Sequence, residues 1–365
     1  MRIRMLSAAP LLLAAACATA PAERQEGTVA GPAISEATLR TATQILSSDA
    51  FEGRAPTTAG EEKTVRYLAE QFREAGLQPG NKGSWFQEVP LVETNATPTP
   101  LRITGGNGPL TFAYRTDMVA NSYQVQPKIS LDNSDIVFVG YGINAPERGW
   151  NDYEGLDVRG KTVVILVNDP DWQTQALEGP FNGRAMTYYG RWTYKYEEAA
   201  RQGAAAALIV HETEPAAYGW NVVQSSWTGP QYNMDDPNNH MDQSKVIGWL
   251  TRDSAVKLFD NSGLDYAQLK EAAKRKGFRA VPLKSKASLS LTQAIKRQKS
   301  RNVIGILPGT TRPDEYDPNW DWSGAVRDLK IYYRIGRELA ESEAWPNWRE
   351  GDEFRAIRDR SRAGR

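Results

Sequence analysis

Residues 162–167 (Thr-Val-Val-Ile-Leu-Val) and 204–210 (four alanines, then Leu-Ile-Val) are almost wholly apolar. Runs of this length and β-branched content read as buried strands covered on both faces. Between them, residues 194–202 have helical character and stop at Gly203. Strand, helix and strand in that order define a small α/β unit, which must find layers to cover both sides of its sheet.

Around this unit the pattern divides. Upstream, Ser35 is a suitable N-cap for a helix with Leu39, Ala42, Ile45 and Leu46 on one face. A second helix starts near Gly60, with Val65, Leu68, Phe72 and Ala75 at helical spacing and Gly76 as its stop. Glu61 and Glu62 occupy its first turn, where they complement the helix dipole. From Trp85 onward strands and turns dominate, including a β-rich run at 136–142. Residues 270–276 read as the solvated face of a helix, and 302–309 as a short strand with a turn behind it. A last amphipathic helix at 323–342 carries Val326, Leu329, Tyr333 and Leu339, followed by a charged tail at 351–365. No internal repeat is present.

The N-terminus carries an address. Arg2 and Arg4 precede a short apolar run at 5–16, too short to span a bilayer, which is the pattern of an export signal. Residues 13–17, Leu-Ala-Ala-Ala-Cys, resemble a bacterial lipobox, which makes Cys17 the lipidation site; cleavage after Ala-Cys-Ala at 16–18 is the rival reading. Residues 18–34 then form a linker. With Cys17 as the one cysteine, no intrachain disulfide can form. The formal net charge is zero, so no global field favours nucleic acid or an anionic membrane, and the expected membrane contact is through the N-terminal lipid only. Eleven Trp and fifteen Tyr imply either well-filled cores or one aromatic-lined groove.

Several motifs carry less than their letters suggest. Residues 155–162 fit the phosphate-loop pattern G-x-x-x-x-G-K-[ST], but a strand follows instead of a helix, so Gly160-Lys161 reads as a turn. His211 and His240 are the two histidines. One ends a strand, the other sits in a turn-rich loop, and neither belongs to a metal-binding spacing. Glu197 and Glu198 point about 100° apart on their helix and cannot both reach one metal. There is no G-x-S-x-G elbow, and the basic stretches at 274–276 and 296–297 lack interleaved aromatics.

Four segments together resemble the zinc aminopeptidases of peptidase family 28, in the bacterial branch with a protease-associated (PA) insert. They are residues 46–54 with 60–80, residues 139–143 with 153–164, residues 300–309, and residues 314–318 with the helix after them. The resemblance implies an α/β fold: a remnant of the aminopeptidase α/β sandwich carrying an inserted, mainly β, mixed α/β PA domain. It divides the chain into an N-terminal peptidase part at 35–120, a PA-like insert at 121–298 and a fused remnant at 299–350. The family uses two zinc ions held by histidines and carboxylates, and its substrates are peptides. The segment that should supply those ligands, between Pro308 and Asp317, is missing. The expectation is therefore no catalytic residue, no metal ligand and no cofactor. An in-frame deletion or assembly error at 313–317 would account for the junction. Three functions remain open at this stage: the family's aminopeptidase activity, a surface lipoprotein binding peptide or protein through the PA-like part, and a remnant without function. The flanking helices at 36–76 and 323–342 are expected to lack partners.

Overall fold

The computed structural model describes residues 35–307, together with Ile331, Arg355 and Asp359. The export signal, Cys17, the linker, the junction at 313–317, the helix at 323–342 and most of the tail lie outside the described residues.

Contacts divide the chain into one unit of residues 1–47 with 308–365 and another of Ser48–Leu307. The longest described stretch of the first is α1 (Glu36–Leu46), whose N-terminus is capped by the Ser35 hydroxyl accepting from the Thr38 N–H at 3.1 Å. Everything below concerns the second.

The two apolar runs stand at the centre of a ten-stranded mixed sheet. In chain order the strands are β1 (Gln78–Pro79), β2 (Phe86–Pro98), β3 (Leu101–Gly105), β4 (Leu110–Phe112), β5 (Met118–Asn121) and β6 (Lys128–Phe138). Then come β7 (Asn144–Ala145), β8 (Trp150–Asn151), β9 (Thr162–Leu166), β10 (Ala206–His211), β11 (Gln231–Met234), β12 (Val246–Thr251), β13 (Val281–Val303) and β14 (Gly305–Ile306). The helices are α2 (Ala59–Glu74), α3 (Trp192–Arg201), α4 (Thr213–Ala216), α5 (Trp220–Ser226), α6 (Arg252–Asn261) and α7 (Tyr266–Ala273).

The main sheet runs β11-β2-β13-β6-β9-β10-β12-β5, with β3 paired to β13 and β4 to β3. Its middle is parallel: β6 beside β9, β9 beside β10, and β10 beside β12. Every residue of β9 and β10 is buried, as their sequence requires. One face packs Phe138, Val164, Leu208 and Leu250 against Leu258, Phe259 and Tyr266 of α6 and α7. The other packs Val163, Ile165, Ile209 and Trp249 with Tyr196 and Ala199 of α3 and Val223 of α5. A mixed α/β architecture with helices on both faces of the sheet results.

Strand β13 is the longest at 23 residues, and it alternates where one face is wet: Leu283, Ser285, Ala287, Leu289 and Leu291 are buried while Lys284 and Lys286 are exposed. It pairs with β2 from Leu291↔Pro98 to Val303↔Phe86, and with β6 through two register shifts. The expected boundaries at 120/121 and 298/299 fall inside β5 and β13 respectively. The β-rich run at 136–142 divides, because β6 ends at Phe138 and Gly140 and Gly142 then turn with positive φ. The helix expected at 270–276 sits earlier, since the Asp265 side chain accepts from the Gln268 N–H and starts α7 at Tyr266. The short strand expected at 302–309 is the end of β13 followed by β14, which pairs with β1.

Helix α2 follows its sequence closely. Thr58 caps it, Glu61 and Glu62 lie in its first turn, and Gly60, Val65 and Ala69 are buried. A Cβ at Gly60 would stand 2.3 Å from the Phe51 carbonyl, so this close approach needs glycine. Among the described residues no helix is long and apolar enough to cross a membrane.

Candidate functional site

Four parallel neighbours, β6, β9, β10 and β12, send their carboxyl ends to one edge of the sheet. In open α/β sheets, loops at that edge form ligand crevices. His211 and Thr251 are register partners and the last residues of β10 and β12. Beyond them opens a cleft of about 510 Å³, within the range of small-ligand sites. Its walls come from the loop and short helix after β10, the first turn of α6, and Lys270 of α7.

Glu212 organises the cleft. Its carboxylate accepts from the Lys270 ammonium and stands 3.5 Å from Nε of Arg252. The Glu212 and Lys270 side chains are 12% and 19% exposed, whereas Arg252 is 63% exposed, so the lysine is the inner partner. Tyr266, one helical turn before Lys270 on α7, has a buried hydroxyl beside the Glu212 carboxylate. Burial, then the charge of Glu212, raises its pKa. Glu214 and Asp253 lie exposed on the rim.

His211 is a wall rather than a ligand. Its Nε2 contacts the Tyr218 carbonyl at 3.0 Å, and its ring is surrounded by those of Tyr218, Trp220 and Trp249 at 5.6–6.1 Å. Burial lowers its pKa, which favours the neutral imidazole.

Behind the same edge lies a buried charge cluster. Lys195 of α3 is completely buried, and its ammonium donates to the carbonyls of Tyr141 at 2.6 Å and Asn168 at 3.1 Å. Asp152 and Asp169, also buried, supply compensating charge. Burial lowers the Lys195 pKa against the pull of Asp169 and Asp152. It likewise raises Asp152, although the N–H of Ile143 and Nε1 of Trp150 both donate to that carboxylate. Asp169 accepts from the N–H and hydroxyl of Thr187. This cluster connects to the cleft: Asn168, held at φ 72°, donates from Nδ2 to the Pro215 carbonyl in the cleft wall at 2.8 Å.

The residues singled out from sequence fall apart in space or serve the fold. His240 contacts the Met234 carbonyl at 2.8 Å, on a different loop from His211. Glu197 accepts from Tyr188, whereas Glu198 turns inward to Arg201, Gln202 and Asn144. Lys161 follows a turn at Gly160 and leads straight into β9. Among the described residues no three His, Cys, Asp or Glu side chains are grouped to hold a metal ion. The donor set does not fit a two-zinc centre, because the two histidines face separate backbone carbonyls. Sequence reading did not find Glu212, Arg252, Lys270, Lys195, Asp152 or Asp169. The available signal was a charged residue directly after two of the buried parallel strands, Glu212 after β10 and Arg252 after β12.

No family model matches the chain, and no curated protein matches it. Among solved structures it is similar to an aminopeptidase from Aneurinibacillus sp. strain AM-1, at 18% identity and a TM-score of 0.35. The match covers 76% of this chain and 50% of that one, so the chain spans about half that protein's length. The functional reading rests on the chain's own residues.

Proposed function

We propose that this chain is a non-catalytic binding protein descended from the zinc aminopeptidases of peptidase family 28, and that it holds peptides in the cleft beside Glu212. The observation that carries the reading is the placement of the cleft: a charged, ligand-sized opening at the carboxyl edge of four parallel strands. Descent rests on the four sequence segments that resemble the family. Loss of hydrolysis rests on the absence from the sequence of the histidine-x-aspartate pair and the later ligands of that family. An exported lipoprotein anchored through Cys17 suits such a role, since the binding unit would be presented outside the cytoplasm.

The test is direct. Purified full-length chain is loaded with excess zinc, dialysed, analysed for bound metal and offered aminoacyl-nitroanilides. The reading expects no stoichiometric zinc and no turnover, together with saturable binding of short peptides by titration calorimetry. Metal-dependent release of nitroaniline would overturn it.

A further inference from the structure

We propose that the loop between β9 and α3 holds a calcium ion, with the Asp171 carboxylate and the backbone carbonyls of Thr174, Ala176 and Glu178 as its ligands. The first ground is a convergence of carbonyls. A Cβ built on Gly183 would stand 2.1 Å from the Ala176 oxygen, 2.9 Å from that of Glu178 and 3.1 Å from that of Thr174. Along an extended strand, carbonyls two residues apart point the same way but lie about 7 Å from each other. This segment is instead curled, with its carbonyls on the inside. Ala176 accepts from the Arg184 N–H at 3.4 Å, and the carbonyls of Thr174 and Glu178 accept from no donor among the described residues. Dipoles crowded with their negative ends together repel one another, and a cation between them reverses the sign of that energy.

The second ground is Asp171. Its Oδ2 accepts from the N–H groups of Phe181 at 2.8 Å and Gly183 at 3.2 Å, which fixes the carboxylate across the closing end of the same loop. Its Oδ1 is buried and has no hydrogen-bond partner. Buried polar atoms are almost always satisfied, and a carboxylate oxygen accepts either a donor or a cation. Gly183 has its N–H on this carboxylate and its Cα beneath the carbonyls, which brings the two sets of oxygens together. The donor set selects the metal. Residues 171–183 include no histidine or cysteine, which disfavours zinc. Calcium takes roughly six to eight oxygens in uneven geometry, whereas magnesium demands a regular octahedron, so an irregular loop of carbonyls suits calcium. Residues 173–180 are exposed, and water can complete the shell. One carboxylate and three carbonyls imply a weak site, with a dissociation constant of about 10⁻⁴–10⁻³ M.

Trp172, directly after Asp171, supplies the probe, because terbium in a calcium site emits when a nearby indole is excited. Full-length chain is freed of metal with a chelator, titrated with terbium, and then challenged with calcium or magnesium. The expected result is saturable sensitised emission, reversed by calcium and not by the same concentration of magnesium. Asp171→Asn, its fold checked by circular dichroism, should weaken calcium binding about tenfold or more. Trp172→Phe leaves every ligand in place; it should lose most of the emission while titration calorimetry still detects calcium, and so locates the ion even where the Asp171 variant does not fold. Absence of saturable emission, equal calcium affinity in folded Asp171→Asn, or undiminished emission in Trp172→Phe would overturn the assignment.

Discussion

The ammonium of Lys195 donates to the backbone carbonyl of Tyr141 at 2.6 Å, and the side chain is completely buried. That bond ties α3 to the turn after β6, and its companion at Asn168 ties the same side chain to the loop after β9. A buried charge is costly unless paired and hydrogen-bonded, and here two backbone carbonyls and two nearby aspartates compensate it.

Lys195→Met should therefore destabilise the protein although methionine fills similar space. Two buried carbonyls would lose a charged donor, and Asp152 and Asp169 would lose their compensating cation. A loss of about 2–4 kcal/mol is expected from magnitudes for such networks. Urea unfolding would read it as a lowered midpoint at unchanged slope. A variant as stable as the parent would show that the cluster contributes nothing net.

Gly248 marks a second constraint. A Cβ there would stand 2.2 Å from the Val119 carbonyl on the neighbouring β5. Gly248→Ala should force β12 and β5 apart and cost about 1–3 kcal/mol, typical of overpacking. Thermal unfolding checks it, and an unchanged midpoint would contradict the close approach.

Acid sensitivity follows from His211. Its folded pKa lies below the ordinary 6.5, so between those two values the unfolded chain binds more protons than the folded one. The stability that His211 contributes is present above pH 6.5 and disappears as the pH falls through its folded pKa. His211→Gln should lose less stability than the parent between pH 7.5 and 5. Measuring both proteins by chemical denaturation isolates the histidine, because the groups common to both cancel.

Pairing of β2 with β13 also sets where proteases should stop. The two strands are joined over thirteen register pairs, so a resistant fragment should contain both Phe86 and Val303. The family resemblance implied a PA-like insert at 121–298. A stable fragment trimmed to those limits, without β2, would count against the observed sheet.

How much of this was legible beforehand depends on the range of the interaction. Local signals served well. Ser35 caps its helix, Gly76 and Gly203 stop theirs with positive φ, and the apolar content of β9 and β10 correctly demanded cover on both faces. The α/β class followed from those. Long-range pairing did not follow, because nothing in residues 86–98 names residues 291–303 as their partner. An alternating strand fixes which of its faces is buried but not its neighbour. The site escaped for the same reason: Glu212 and Lys270 are 58 positions apart, and Lys195 looks in sequence like any solvated helical lysine until α3 packs onto the sheet.

The central claim is that peptides bind at the cleft and leave unchanged. Proton NMR of a short unblocked peptide, mixed with full-length chain and excess zinc, tests both halves at once. The account predicts broadening of the peptide signals, lost in a Glu212→Gln variant, with no signals of a released amino acid over hours. Appearance of that free amino acid, or sharp and unshifted peptide lines at high protein concentration, would contradict it.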